Sequence, residues 1–371
     1  MPAAALIALA AAVSGCGSNA ASAPAAQPSP RAATPTDVAR AQAVIQPYLS
    51  PPRRLALTTP VTSRPPAGKT LVWLQCETPQ CKEISTALGS AVAAVDWNLR
   101  VVDYQSANPA TLIAGMQQAL QYRPVAVVLN GSPYAVWKGE VPAYAKAGVP
   151  LIVGSVGPVP INRTIVANIV GPPDISLAAR ILADWFIATS AAQGKALLYS
   201  VPDFPAIALI QTAFQQAVAQ DCSGCSVTLL SQTIPQVASG ELNPAVVSAL
   251  QRSPAIRYVI LPDYPLTSGL PEALSAAGIR GIKIAGIYAG RTDQELIKQG
   301  QEAAGTPQEI NLSSWLTVDA AIRHLEGMPI APGDGGLPEQ LLTQSTVGMP
   351  SDTYNYPANY QQLFRHLWRV G

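Results

Sequence analysis

The sequence predicts an α/β protein of two lobes, each built on a parallel sheet, with a ligand cleft between them. Three observations lead there. From Thr70 onward, apolar β-rich runs alternate with alanine-rich segments of helical spacing, the pattern of strand–helix–strand units. The runs show no polar alternation, as expected of strands covered on both faces. The pattern then restarts near Ile165, giving two similar halves in a chain of 371 residues, a length that suits two domains.

The elements follow in order. Residues 1–15, MPAAALIALAAAVSG, are apolar and small. They fall short of the ~20 residues that a membrane-spanning helix needs. They match the core and cleavage region of a secretory signal, without the positive residues that normally open one. Val13-Ser14-Gly15-Cys16 looks like a bacterial lipobox, which would put a lipid on Cys16; the alternative is a free cysteine in an ordinary signal peptide. The stretch 16–36 is low in complexity and suits a flexible tether that lifts a domain off a membrane. A short helix is expected over 37–47, capped by Thr36 or Asp37 and ended by Pro51 and Pro52. The proline-rich remainder, up to residue 68, is expected to wrap the first lobe.

Strands are expected at 71–74, 99–103, 125–129 and 150–153, with helices over 84–95, 111–121 and 134–147. In the second half, helices are expected over 175–189, 205–220, 244–251 and 269–277. They interleave with strands at 196–200, 226–232, 258–261 and 283–287. A helix over 317–326 and a late strand over 340–347 close the body. The aromatic tail 351–371 is expected to pack on the body rather than bind a ligand.

Composition excludes several functions. Charged residues make up 12% of the chain and the formal net charge is +1, so there is no basic footprint for nucleic acid. There are two histidines, His324 and His366, which argues against imidazole catalysis or a histidine metal site. No GxSxG elbow, HExxH, P-loop or GxGxxG after the first strand is present. Asp203 and Asp263 could be imagined as an acid/base pair, but isolated carboxylates are more often solvated, capping or ligand-binding groups. The expectation is a binding protein, not an enzyme, with no cofactor and no metal.

Five cysteines are present. Setting Cys16 aside leaves two local pairs, Cys76/Cys81 and Cys222/Cys225. An exported protein sits where disulfides persist, so two structural disulfides are expected; reduced thiols, redox chemistry or metal binding are the alternatives. Cys222-Ser-Gly-Cys225 has redox-motif spacing, but that chemistry needs a helix starting at the first cysteine. Here the pair follows the helical stretch FQQAVAQ. Cys76 and Cys81 lie just past the carboxyl end of the first strand, where ligands of parallel sheets bind. A staple there would pre-order the rim and reduce the entropy lost on binding.

The stretches DWNLRVVDYQSANPATLIAGMQQAL, YRPVAVVLNGSPY, AGVPLIVG, AFQQAVAQ, IRYVILPDY, ALSAAGIRGIKIAGI and DAAIRHLEGMPI carry a resemblance. Together with the order of elements they make the chain similar to type 1 periplasmic binding proteins, near the ribose-binding group of ABC-importer solute receptors. The resemblance spans about three quarters of the chain, residues 70–347. It implies two Rossmann-like lobes, 69–160 plus 309–338 and 161–308 plus 339–350, joined by a three-crossover hinge. It also implies a monomer that closes on a small molecule, delivers it to an ABC permease and sits outside the cytoplasmic membrane, held by its lipid anchor.

Carried onto this sequence, most of the family's sugar clamp is missing. The aromatic pair after the first strand falls on Gln80 and Cys81, and the Asp-Arg pair after the fourth on Ser155 and Val156. The arginine of the second lobe falls near Ala208. The Asn-Asp pair becomes Asp263-Tyr264, the next aspartate becomes Tyr288, and only a late glutamine is kept, as Gln308. Ends of the expected strands add Glu77, Thr78, Asn130, Asp203 and Phe204 as candidate ligand-binding residues. Phe204, Tyr264 and Tyr288 suit an apolar or aromatic body with few hydroxyls, and Asp263 a hydroxyl or a cation. The alternative is that these tyrosines pack at the hinge. A sugar or polyol receptor, or a surface sensor that signals to a membrane partner, would use the same clamp.

Overall fold

The computed structural model describes residues 35–263, 268–307, 309–330, 337–351 and 354–371. The signal segment, Cys16, the tether as far as residue 34, Tyr264 and Gln308 lie outside the described residues. Helix α1 (Pro35–Ile45) continues into a 3₁₀ turn (Gln46–Leu49). The first lobe follows as β1 (Thr70–Gln75), α2 (Pro79–Ala93), β2 (Asn98–Asp103), α3 (Pro109–Gln121), β3 (Ala126–Asn130), α4 (Tyr134–Trp137), α5 (Val141–Ala147), β4 (Leu151–Gly154) and β5 (Ile165–Ile169). Its sheet runs β2-β1-β3-β4-β5, parallel throughout.

The second lobe runs through α6 (Pro172–Thr189), β6 (Lys195–Ser200), α7 (Pro205–Asp221), β7 (Ser226–Ser231), α8 (Ile234–Ala238) and α9 (Leu242–Arg252). It continues with β8 (Tyr258–Leu261), α10 (Leu270–Ala276), β9 (Lys283–Ala289), α11 (Arg291–Gln299) and β10 (Ala304–Pro307). Helix α12 (Ile310–Leu325), β11 (Leu342–Thr343) and α13 (Tyr360–Leu367) complete the chain. The second sheet has the order β11-β10-β9-β8-β6-β7, with β11 alone antiparallel to its neighbour. These are the two parallel α/β lobes that the sequence predicts.

Local chemistry sets the helix ends. Helices α2, α3, α6 and α7 each open on a proline, whose missing N–H costs nothing in a first turn. Helices α5 and α11 stop at Gly148 and Gly300, both at positive φ (65° and 75°), a conformation that glycine adopts without strain. The interior of β1 is apolar on both faces, with Leu71, Val72, Trp73 and Leu74 all fully buried, whereas the edge strands β2 and β7 are largely exposed and so are not covered on both faces.

Several boundaries need correcting. The helix expected over 134–147 is broken into α4, a 3₁₀ turn (Lys138–Glu140) and α5, because Gly139 weakens it and Pro142 restarts it. The late strand 340–347 shrinks to Leu342–Thr343: Val347 N–H turns back onto the Thr343 carbonyl (2.9 Å). The first lobe does not end at 160, since β5 pairs with β4 in its sheet. The chain passes between the sheets after Ile169, after Pro307 and before Leu342.

The terminal segments add two passages to these three. Ala41 and Ile45 of α1 bury in the second lobe, against α6, whereas Leu55 and Val61 bury in the first. At the other end Tyr354 packs in the second lobe, and Tyr360, Phe364, Leu367 and Trp368 in the first. The aromatic tail therefore packs on the body: Trp368 stacks on Trp315 of α12, with ring centres 5.1 Å apart.

Candidate functional site

The carboxyl ends of β1, β3, β4 and β9 face a cavity of about 40 Å³ between the lobes, room for about three waters. The staple at its rim is present: Cys76 and Cys81 are bonded, with Cα atoms 5.6 Å apart. Gln80, held between the two cysteines on the first turn of α2, lines the cavity together with Ile84. The second bond, Cys222–Cys225, closes the turn from α7 to β7, away from the cavity.

Three of the eight described non-glycine residues at positive φ meet here. Ser155 (φ 52°), Val170 (φ 56°) and Tyr288 (φ 62°) all line the cavity in the left-handed region. A β-branched or bulky residue there is an outlier, at a cost of order 1–3 kcal/mol each. Ser155 is held by its N–H on the Ile169 carbonyl (3.1 Å). The neighbouring Gly154 admits no side chain, because a Cβ would meet the Asn130 Oδ1 at 2.6 Å and the Ile169 carbonyl at 2.9 Å. Asn130 is thereby seated at the end of β3, where it lines the cavity.

The candidate residues divide into two groups. Gln80, Asn130, Ser155 and Tyr288 come together around the cavity. The others are placed elsewhere. Glu77 accepts from the Ser106 N–H (3.0 Å) and hydroxyl (3.2 Å), which hold its carboxyl below the usual range. The Thr78 hydroxyl accepts from the Cys81 N–H (3.4 Å) as the cap of α2. Asp203 accepts from the Ile234 N–H (3.3 Å), and Phe204 packs on the core of the second lobe. Asp263 is pushed up to about 7 by burial and by the like charge of Asp293.

Four lining residues carry no local sequence signal: Asp174 on α6, Thr306 on β10, Glu309 capping α12, and Glu339 on the way to β11. Asp174 accepts from the Gly171 N–H (3.0 Å); a carboxylate in a first helical turn usually needs no other explanation, so the pattern Gly-Pro-Pro-Asp gave no hint of a site. Burial first, then Glu339 and Asp174, push the Glu309 carboxyl well above its ordinary range. Burial and Asp174 raise Glu339. Burial and then the surrounding acids, Asp263 first, keep Tyr288 protonated. The site can hold a small polar group amid carboxyls, with apolar walls from Ile84, Ile175 and Leu337.

No protein-family model and no curated protein sequence matches the chain; the likeness is one of fold. An ABC sugar transporter subunit from Rhodobacter sphaeroides is 18% identical with a TM-score of 0.63, over 75% of this chain and 99% of its own. An ABC transporter solute-binding protein from Agrobacterium vitis, with bound allitol, is 17% identical with a TM-score of 0.64, over 76% and 97%. One from Mycobacterium smegmatis, with bound glycerol, is 15% identical with a TM-score of 0.64, over 76% and 96%. The fold is that of the type 1 periplasmic binding proteins.

Proposed function

We propose that this protein is the extracytoplasmic solute receptor of an ABC importer. It takes up a small organic ligand with an apolar or aromatic body and few hydroxyls between its lobes. The observation that carries this reading is the inter-lobe cavity at the carboxyl ends of the strands, ringed by the strained residues Ser155, Val170 and Tyr288. Strain of this kind persists where the surrounding structure holds a residue for a task other than stability. Parallel-sheet lobes place ligands at that end of their strands, and lobes joined by crossovers can part to admit a solute. Cys16 would carry the lipid anchor on the outer face of the cytoplasmic membrane. The chemistry is binding and release, without catalysis.

A sugar or polyol ligand is the second reading, favoured by the allitol and glycerol held by two proteins of the same fold. A thermal-shift screen separates the two. A ligand bound only by the native state raises the melting temperature by mass action. Shifts with aromatic or apolar solutes and none with pentoses, hexoses or polyols would favour the first reading. The reverse pattern would replace it with the second, and no shift with any solute would sink the receptor itself.

A further inference from the structure

Three carboxyl side chains reach the cleft cavity from three separate segments: Asp174 from α6, Glu309 from the cap of α12 and Glu339 from the strand-bound return. No described lysine, arginine or histidine lines it. Glu309 is 7% exposed, and among the described residues its Oε1 and the Oε2 of Glu339 are buried without a hydrogen-bond partner. A second observation, independent of the acids, points the same way. Thr306, only 1% exposed, lines the same cavity, and its hydroxyl too finds no partner among the described residues.

Buried acceptors without donors cost free energy, and like charges gathered among them cost more. The protein alone gains nothing from this arrangement. A bound group that brings several N–H donors and a positive charge would remove both costs at once. A metal ion is a poor candidate, because among the described residues no three acids, histidines or cysteines converge at ligand distance on one point; a head with several N–H donors needs acceptors along the cavity wall and not such a convergence. A polyol would supply donors but no charge.

We propose that the ligand carries a primary ammonium head, seated among Asp174, Glu309 and Glu339 with the Thr306 hydroxyl as a further acceptor. Its body lies along Ile84, Ile175 and Tyr288. This rests on the receptor reading above and names the polar end of the ligand. Burial and mutual repulsion favour the protonated acids in the empty site. The head favours the ionised form, so binding releases protons and tightens as pH rises. Among the described residues, Tyr288, Asp263 and Tyr354 also interact electrostatically with this site, and none of these is a base that would oppose that direction.

Titration calorimetry on the whole protein tests it, with phenethylamine, tryptamine and putrescine as probes against phenethyl alcohol and allitol. At least one amine should bind, about tenfold tighter near pH 8 than near pH 5.5. Phenethyl alcohol should bind at least about thirtyfold more weakly than its amine counterpart. E309Q and E339Q should each weaken amine binding by about thirtyfold while leaving the unliganded melting temperature at or above that of the wild type. Binding of the alcohol or allitol alone would overturn the ammonium head and leave the receptor standing. Amine binding indifferent to both substitutions would overturn it too. If nothing in this panel binds and the thermal-shift screen finds no sugar or other solute, both readings fall together.

Discussion

Asp319 and Glu309 are both buried acids of helix α12, about three turns apart, and their surroundings are opposite. Both oxygens of Asp319 are engaged: Oδ2 with Arg323 Nε (2.6 Å) and Oδ1 with Trp368 Nε1 (2.9 Å). Arg323 continues to the Thr59 carbonyl (2.7 Å), so the acid ties the two terminal extensions to the first lobe. Burial raises its carboxyl, but the ion pair and the tryptophan pull it back. At Glu309 burial and both neighbouring acids all push the same way. A buried charge whose partners are built in belongs to the architecture. One whose partners are missing marks a place where something else is expected.

The sharpest way to break this contrast is to orphan the satisfied acid. Arg323→Met should cost about 3–5 kcal/mol of stability, because it strands a buried carboxylate. Denaturant titration should find this loss, whereas E309Q should cost nothing. Equal losses in the two variants would erase the distinction. The two disulfides offer a second comparison. Each closes only a short loop, so removing either should cost about 2 kcal/mol. Only C76S/C81S should also weaken ligand binding, because its loop carries Gln80 into the cavity; equal affinities in both variants would reduce the first bond to a staple for stability.

A third prediction concerns pH. Asp263 is raised from 3.8 to about 7 by burial and by Asp293, itself raised to about 6. A carboxyl with a raised folded pKa binds its proton more tightly in the native state, so stability falls as pH rises through the interval between the unfolded and folded values. The unliganded protein should therefore melt at a lower temperature near pH 7.5 than near pH 5, and D263N should flatten that slope. An unchanged slope in D263N would assign the pH dependence to other groups. The smallest effect is expected at the lips of the cleft. A Cβ on Gly157 would meet the Pro205 Cβ at 2.8 Å, so G157A should hold the lobes slightly apart. Ligand affinity would then drop severalfold with little change in melting temperature; undiminished affinity would mean that this contact does not limit closure.

Much of the fold could be read along the chain. Strand runs such as 71–74 and 258–261 are short, apolar and bounded by turn residues, so each announces itself. Boundaries failed where tertiary pairing decides. Nothing local tells that Ile165–Ile169 pairs with β4 rather than opening the second lobe. Gln80, Ser155 and Tyr288 were reachable through the resemblance, which placed the family's clamp on them, and Asn130 through the end of an expected strand. Asp174, Thr306, Glu309 and Glu339 were not, because their meeting depends on where the crossovers return.

The sequence by itself determined two parallel α/β halves, the positions of their strand ends, and two cysteine pairs close enough in the chain to join. These are local properties: periodicity, capping and short loops act over a few residues. Only the tertiary structure decided that the described terminal segments cross between the lobes and that three acids line one cavity where no described lysine, arginine or histidine stands. Burial and charge proximity are pairwise quantities across the fold: Asp174 and Glu339 stand far apart in the chain, yet act on each other through the low-dielectric interior they share.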